Sequence, residues 1–205
     1  MAKAQSLAGR VHGGWGTNLL LSPGEDVTHS PGRTGHVGLA LTYGKPDQKV
    51  LVHSTVRLTG SAYRTRMAYQ VWFVSQRNTM EMDLMAGFRQ MNRTILQVGV
   101  FAGRTTRGSA IVEQGRKTTV QPLFPDPRVR TGHFPNNSVF GVTLGMAIPL
   151  DPNDRFGLEF QIRQHLLPFV DAPQSLALPF QPEELVLADN TKASILLVAV
   201  SYRFL

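Results

Sequence analysis

Taken two residues at a time, the chain separates into apolar positions and small or polar positions over most of its length. The run 193–205 shows it most clearly: Leu196, Val198, Val200, Tyr202 and Phe204 share one parity, and Ala199, Ser201 and Arg203 the other. Residues 10–21 set Val11, Trp15 and Leu19 against His12, Gly14, Gly16 and Asn18. Residues 34–44 set Val37, Leu39, Leu41 and Tyr43 against His36, Gly38, Ala40 and Thr42. In 49–63, Val50, Val52, Val56 and Leu58 oppose His53, Thr55, Arg57 and Thr59; in 79–90, Met80, Met82, Leu84 and Phe88 oppose Glu81, Asp83, Gly87 and Arg89. Residues 94–104 alternate Leu96, Val98 and Val100 with Gln97 and Gly99, and Phe101 is the exception on the polar parity. Residues 138–150 set Phe140, Val142, Leu144, Met146 and Ile148 against Gly141, Thr143, Gly145 and Ala147. Residues 156–165 set Phe156, Leu158, Phe160 and Ile162 against Gly157, Glu159, Gln161, Arg163 and His165. Strict alternation marks a strand with one apolar face. Eight such segments predict an all-β chain.

The connections give the order of pairing. Lys45-Pro46-Asp47-Gln48, residues 90–93 and Asp151-Pro152-Asn153-Asp154-Arg155 are short and rich in turn formers. Residues 22–33, 105–137 and 167–192 are long. Between the third and fourth strands the expected turn is Arg64-Thr65-Arg66, with 67–76 still strand-like and projecting past the membrane. Short turns alternating with long loops are the habit of membrane barrels, whose short turns are periplasmic. The other closed solution is a soluble lipocalin-like ligand-binding barrel, apolar inside and polar outside. The polar parity here is rich in Gly, Ala, Ser and Thr with isolated charges, whereas a solvated exterior carries many more Lys and Glu. The expectation is an eight-stranded antiparallel up-and-down transmembrane β-barrel over residues 10–205, with both termini periplasmic. Leu144, Leu158 and Val198 then face lipid, and Thr143, Glu159 and Ala199 the lumen.

Composition agrees with this picture. A chain of 205 residues makes one domain, and the absence of Cys removes disulfide scaffolds and thiolate metal sites. No apolar run reaches the ~18 residues of a membrane helix. A mean hydropathy of −0.10 is compatible with a barrel that gives only alternate residues to lipid. Ala2-Lys3-Ala4-Gln5 has the small-x-small form of a signal-peptidase site. Residues 1–9 are therefore read as a signal-peptide remnant and N-terminal segment, with Gln5 as the first mature residue.

Three short motifs carry a family resemblance: Tyr202-Arg203-Phe204, Leu158-Glu159-Phe160-x-x-Arg163 and Met80-Glu81-Met82-Asp83-Leu84. With the pattern from Arg10 onward, they resemble the outer-membrane β-barrel domain family. These are the small OmpA/OmpX-like barrels, among them the PorT-like proteins of Bacteroidota. The resemblance implies a porin-like barrel in a bacterial outer membrane, surrounded by lipid and lipopolysaccharide. It implies that Tyr202 and Phe204 serve as the signal read by the barrel-assembly machinery, although Leu205 departs from the usual terminal Phe. It leaves a range of roles open, from structural anchor to subunit of a secretion or envelope complex.

Candidate chemistry follows from parity. Arg10, Arg57, Arg89, Arg163 and Arg203 share the lumen-facing set with Glu81, Asp83 and Glu159. Charges in a narrow lumen require partners, and eight strands leave just enough room for side chains, so a salt-bridged plug is expected. His12, His36, His53 and His165 share that parity, with His12 and His53 expected near the periplasmic ends and His36 and His165 near the outer ends. No metal or other cofactor is expected. The adjacent pair His53-Ser54 points to opposite faces, and His29-Ser30 near Glu25 and Asp26 reads as solvated loop. A non-enzymatic chain is expected, with an outer-membrane lipid-modifying enzyme as the alternative. The net charge of +7 concentrates in one loop with Arg104, Arg107, Arg116, Lys117, Arg128 and Arg130, facing a final loop with Asp171, Glu183, Glu184 and Asp189. These basic residues are candidates for contacts with lipid phosphates or envelope proteins. No aromatic-basic interleaving supports nucleic acid.

Overall fold

Antiparallel pairing runs in sequence around the molecule and returns to its start. The computed structural model describes residues 6–21, 28–44, 48–67, 71–90, 93–114, 117–122, 138–168, 174–177, 184–187 and 192–205. The strands are β1 (Ser6–Leu21), β2 (Thr28–Gly44), β3 (Val50–Met67), β4 (Val71–Arg89), β5 (Ile95–Gln114), β6 (Lys117–Pro122), β7 (Ser138–Pro149), β8 (Phe156–His165), β9 (Gln174–Ala177), β10 (Glu184–Leu187) and β11 (Lys192–Arg203). Neighbours pair in the order β4-β3-β2-β1-β11-β8-β7-β5, and β4 pairs with β5 to close the ring. The result is an all-β, closed, eight-stranded antiparallel barrel. β1 and β11 meet from Arg10↔Arg203 to Leu21↔Lys192. β6 extends β5 as a hairpin, and β9 pairs with β10.

Several strands run further than the turn signals suggested. β1 begins at Ser6, paired with Gly44, so residues 6–9 belong to the barrel rather than to a preceding segment. β3 and β4 stay paired as far as Met67↔Val71, and Arg64, Thr65 and Arg66 lie in the ladder opposite Val74, Phe73 and Trp72. The expected turn at Arg64-Thr65-Arg66 is therefore corrected: these three residues are strand, and residues 68–70 lie outside the described residues. Arg-Thr-Arg contains none of the residues that favour a tight turn, whereas the flanking Val, Trp and Phe favour strand. β2 begins at Thr28 and absorbs Pro31-Gly32 in a register shift between Ser30 and Arg33, as a bulge permits.

Hydrogen bonds fix the turn between β7 and β8. Asp151 accepts hydrogen bonds from the backbone N–H of Phe156 (2.7 Å) and of Asn153 (3.2 Å). These bonds, that from Phe156 first, hold its carboxyl below the usual range. Asp154 sits at φ 55° and Arg93 at φ 66°. Arg93 Nη1 donates to the Pro152 carbonyl at 2.7 Å, joining the β4–β5 and β7–β8 turns.

Parity sets the two faces. Trp15, Leu39, Leu58, Met82, Val98, Leu144, Ile162 and Val200, one from each of the eight barrel strands, are 47–69 % exposed on the outside. Tyr43, Phe88, Phe156, Tyr202 and Phe204 form an aromatic girdle at the short-turn end. The buried side includes Arg57, Arg163, Glu81, Asp83, Thr55, Thr59, Thr143 and Ser201. An apolar exterior around a charged interior is the reverse of a soluble ligand-binding barrel. It suits a bilayer, where every backbone polar group is satisfied by its neighbours in the closed sheet. A ring without free edges opens only as a whole. The folded protein is therefore expected to migrate differently from boiled protein on a detergent gel; identical migration would speak against closure.

Candidate functional site

The lumen is filled from the long-loop end to its middle. At the long-loop end Leu20, Tyr63 and Ala193 form a small apolar cluster. Beneath it, Asn18 Nδ2 donates to the Arg33 carbonyl at 2.9 Å, and the hydroxyls of Thr34 and Ser61 meet at 2.9 Å. Half-way down sits a charge cluster built by three strands: Arg57 from β3, Glu81 and Asp83 from β4, and Arg163 from β8. Arg163 bridges both acids, with Nη2 2.8 Å from Asp83 Oδ1 and Nη1 on Glu81 Oε2. Arg57 Nη2 takes the second oxygen of Asp83, and its Nη1 donates to Gln161 Oε1 at 3.0 Å. Thr79 Oγ1 donates to Glu81 Oε1. Asp83 is thus shared between two guanidinium groups, and Glu81 between Arg163 and the hydroxyls of Thr79 and Thr59.

The flat face of Arg163 is covered as well. Its guanidinium carbon lies 3.9 Å from the centre of the Phe101 ring, and His165 meets that ring edge-on at 5.1 Å. Phe101, the one large apolar residue on the polar parity of its strand, is therefore a cation–π partner. Room for the cluster comes from small neighbours. A Cβ on Gly141 would stand 2.6 Å from Phe101 Cε1, and one on Gly38 2.6 Å from His12 Nε2 and 3.0 Å from Arg57 Cβ.

Of the eight residues placed in the lumen by parity, the structure brings Arg57, Glu81, Asp83 and Arg163 into direct contact. Arg10, Arg89, Glu159 and Arg203 lie lower, around a cavity that opens among the short turns. Arg203 Nε donates to the Leu205 carbonyl at 2.8 Å. Sequence reasoning missed the roles of Gln161, Thr79 and Phe101, although each shares the inward parity of its strand. It also missed Arg77, which donates to Thr105 Oγ1, because the strand was started at Thr79.

The histidines divide differently from expectation. His12 and His36, assigned to opposite ends, meet near mid-lumen with their rings tilted by 53° and their centres 5.2 Å apart. The cause is the early start of β1, which sets His12 well inside its strand. His53 lies lower, its Nδ1 2.9 Å from Thr42 Oγ1. Among the described residues no three His, Cys, Asp or Glu side chains group as metal ligands. His53 is buried and Ser54 lies on the opposite parity; the His29 side chain falls outside the described set.

Arg104 and Arg107 both lie on the outer face of β5. Their spacing would put them on opposite faces, but the register shifts as Asn78↔Arg107 gives way to Thr79↔Thr105, leaving Thr106 as the extra residue. Arg33 and Arg64 are exposed at the same end. Arg116, Arg128, Arg130, Asp171, Glu183 and Asp189 lie outside the described residues, while Lys117 opens β6 and Glu184 opens β10. Tyr202 and Phe204 face outward; the Tyr202 ring is 5.2 Å from Phe156, and the Phe204 N–H donates to the Gly9 carbonyl at 3.0 Å.

No family model matches the chain, and no curated protein sequence matches it. Among solved structures, Neisserial surface protein A is similar at 12% identity over 97% of this chain and 99% of that one, with a TM-score of 0.49. The attachment invasion locus protein Ail of Yersinia pestis, in complex with the heparin analogue sucrose octasulfate, is similar at 12% identity over 97% and 99%, with a TM-score of 0.48. The outer membrane protein OprG of Pseudomonas aeruginosa is similar at 11% identity over 96% and 95%, with a TM-score of 0.48. None of these likenesses is close enough to bear on function, and the fold is defined by the strand register itself.

Breaking the cluster on one side strands a buried charge. Asp83→Asn is expected to destabilise the folded barrel by about 3–5 kcal/mol, measured by urea unfolding in lipid vesicles. Thr143→Val is the contrast. Thr143 Oγ1 is buried without a hydrogen-bond partner among the described residues, so the isosteric apolar side chain should leave stability unchanged or raise it.

Proposed function

We propose that this protein is a small bacterial outer-membrane barrel with a plugged lumen. It acts as a structural or interaction component of the envelope rather than as an enzyme. The observation that carries the reading is the inversion of polarity. Apolar side chains face outward from all eight barrel strands, while two arginines and two carboxylates are buried and paired inside. A water-soluble barrel would leave that apolar belt in contact with solvent, far beyond the few hundred Å² typical of monomers.

On this reading the short turns and both termini face the periplasm, and the long loops face outward. Arg104 and Arg107 stand just beyond the apolar belt, where lipid phosphates and those of lipopolysaccharide lie. Arg116, Lys117, Arg128 and Arg130 follow in sequence and are the further basic residues offered to envelope partners such as a secretion complex. Tyr202 and Phe204, outward at the girdle, are the surface that the barrel-assembly machinery reads during insertion.

Leu144 decides the matter experimentally, since it faces outward between Val98 and Ile162. Arg on the lipid face near the midplane costs about 2–4 kcal/mol in such barrels. Leu144→Arg should therefore fold poorly into bilayers, and Glu159→Gln, which leaves the outside unchanged, should be milder. A Leu144→Arg protein that folds normally and stays soluble without detergent would overturn the membrane reading.

A further inference from the structure

The glycines of the barrel strands are of two kinds. Gly14, Gly16 and Gly99 face the lumen, and a Cβ on any of them would run into a neighbouring backbone carbonyl, of Val198, Leu196 and Leu84 respectively. Gly13, Gly35 and Gly60 share the outward parity and carry no such constraint. A Cβ there would meet nothing nearer than 3.6, 3.8 and 3.3 Å, the last of these the side-chain oxygen of Asn78, and none of the three has the positive φ that calls for glycine. Their pairing is regular, with no bulge at any of them. Glycine weakens the interior of a strand, and where no bulge or bend requires it, it marks a place where another molecule comes close to the backbone.

Two of these glycines are direct neighbours. Cross-strand pairing sets Trp15, Gly35, Gly60 and Asn78 in one row across β1 to β4. The next row toward the long loops holds Arg33, Ala62 and Gln76, and the next toward the short turns holds Val37, Leu58 and Met80. Gly35 and Gly60 thus floor a shallow recess of about 370 Å³ in the outer wall, with Arg33, Gln76 and Asn78 in its lining. It lies where the apolar belt of these strands ends. Arg33 is exposed there and forms no ion pair with a described carboxylate. Trp15 stands at the side of the recess, 69 % exposed beside a partner on β2 that has no side chain.

We propose that this recess seats the phosphate-bearing headgroup of an outer-leaflet lipid. It rests on the membrane placement already proposed and gives one lipid a defined seat on the barrel. The wall has the polarity of an amphiphile along the barrel axis. The forked donors of Arg33 match two oxygens of a phosphate, and the amides of Gln76 and Asn78 offer both donors and acceptors to the rest of the headgroup. The acyl chain then descends over Val37 and Leu58. Trp15 sits at the border that indole favours, apolar on its ring and polar at its N–H. Charge decides between a lipid and a second copy of the chain. Two barrels packed through this face would bring their Arg33 side chains together, and like charges brought together oppose association.

Native mass spectrometry of the folded barrel in nonionic detergent, titrated with lipid A, phosphatidylglycerol and diacylglycerol, tests the site. One lipid A or phosphatidylglycerol per barrel should be held at least about tenfold more tightly than diacylglycerol, which lacks the phosphate. Tighter retention of lipid A supports the site with the sugar recognised as well, and equal retention supports it with the phosphate alone. Arg33→Gln and Gly35→Leu should each weaken retention by about tenfold. Gly35→Leu fills the recess without changing charge, and the open space over Gly35 leaves the barrel free to fold. Lys192→Gln, on the outer face of β11, should change nothing. Anionic lipid held no better than diacylglycerol, or retention that Arg33→Gln and Gly35→Leu leave unchanged, overturns the inference. So do barrel dimers that Gly35→Leu dissociates while no lipid is held, which would give the recess to a second copy. A barrel that inserts into vesicles yet retains no lipid would sink this inference alone and leave the membrane placement standing.

Discussion

The pairing of Arg57 and Arg163 with Glu81 and Asp83 is the constraint on which the rest of the barrel depends. Two guanidinium groups held out of water need carboxylates at hydrogen-bond distance, and three separate strands supply the four side chains. A slip of one residue in any of these strands would turn its member of the cluster outward and its apolar neighbours inward. The cluster therefore fixes register as well as charge. Small residues answer to it: Gly38 leaves room for His12 and Arg57, and Gly141 for the Phe101 ring that covers Arg163. The apolar exterior is the other consequence of the same parity.

Inside and outside were legible in the sequence because side-chain direction in a strand has a period of two. Leu144, Leu158 and Val198 lie on the outer parity and Thr143, Glu159 and Ala199 are buried, as alternation alone dictates. Height along the barrel was not legible. Strands in a barrel tilt and stagger, so residues at similar distances from their own turns meet at different levels. Hence Arg57 and Arg163 reach the acids of β4, while Arg10, Arg89 and Arg203 collect around the lower cavity. Strand ends were read too short wherever a proline or glycine suggested a loop, as at Pro31-Gly32. The turn between β3 and β4 was placed too early because Arg and Thr carry little signal in either direction. The bulge that brings Arg104 and Arg107 to one face leaves no mark in a single sequence.

The three lumenal levels have different physical characters. Apolar packing of Leu20, Tyr63 and Ala193 lies above, a neutral ionic layer lies in the middle, and a chamber lined by Arg10, Arg89, Arg203 and Glu159 opens below. The first two obstruct the barrel axis; the third is open to whatever lies at the short-turn end. A barrel of this size supports many roles, and what distinguishes this one is how its interior is occupied.

The central claim is that the apolar face meets lipid, and Trp15 reports on it most directly. Among the described residues it is the most exposed large apolar side chain, and the chain contains two tryptophans. A Trp72→Phe variant leaves Trp15 as the sole indole. Reconstituted into vesicles with brominated acyl chains, that variant should show blue-shifted emission strongly quenched by the bromine. Red-shifted emission that brominated lipid leaves unquenched, but that a water-soluble quencher suppresses, would contradict the account.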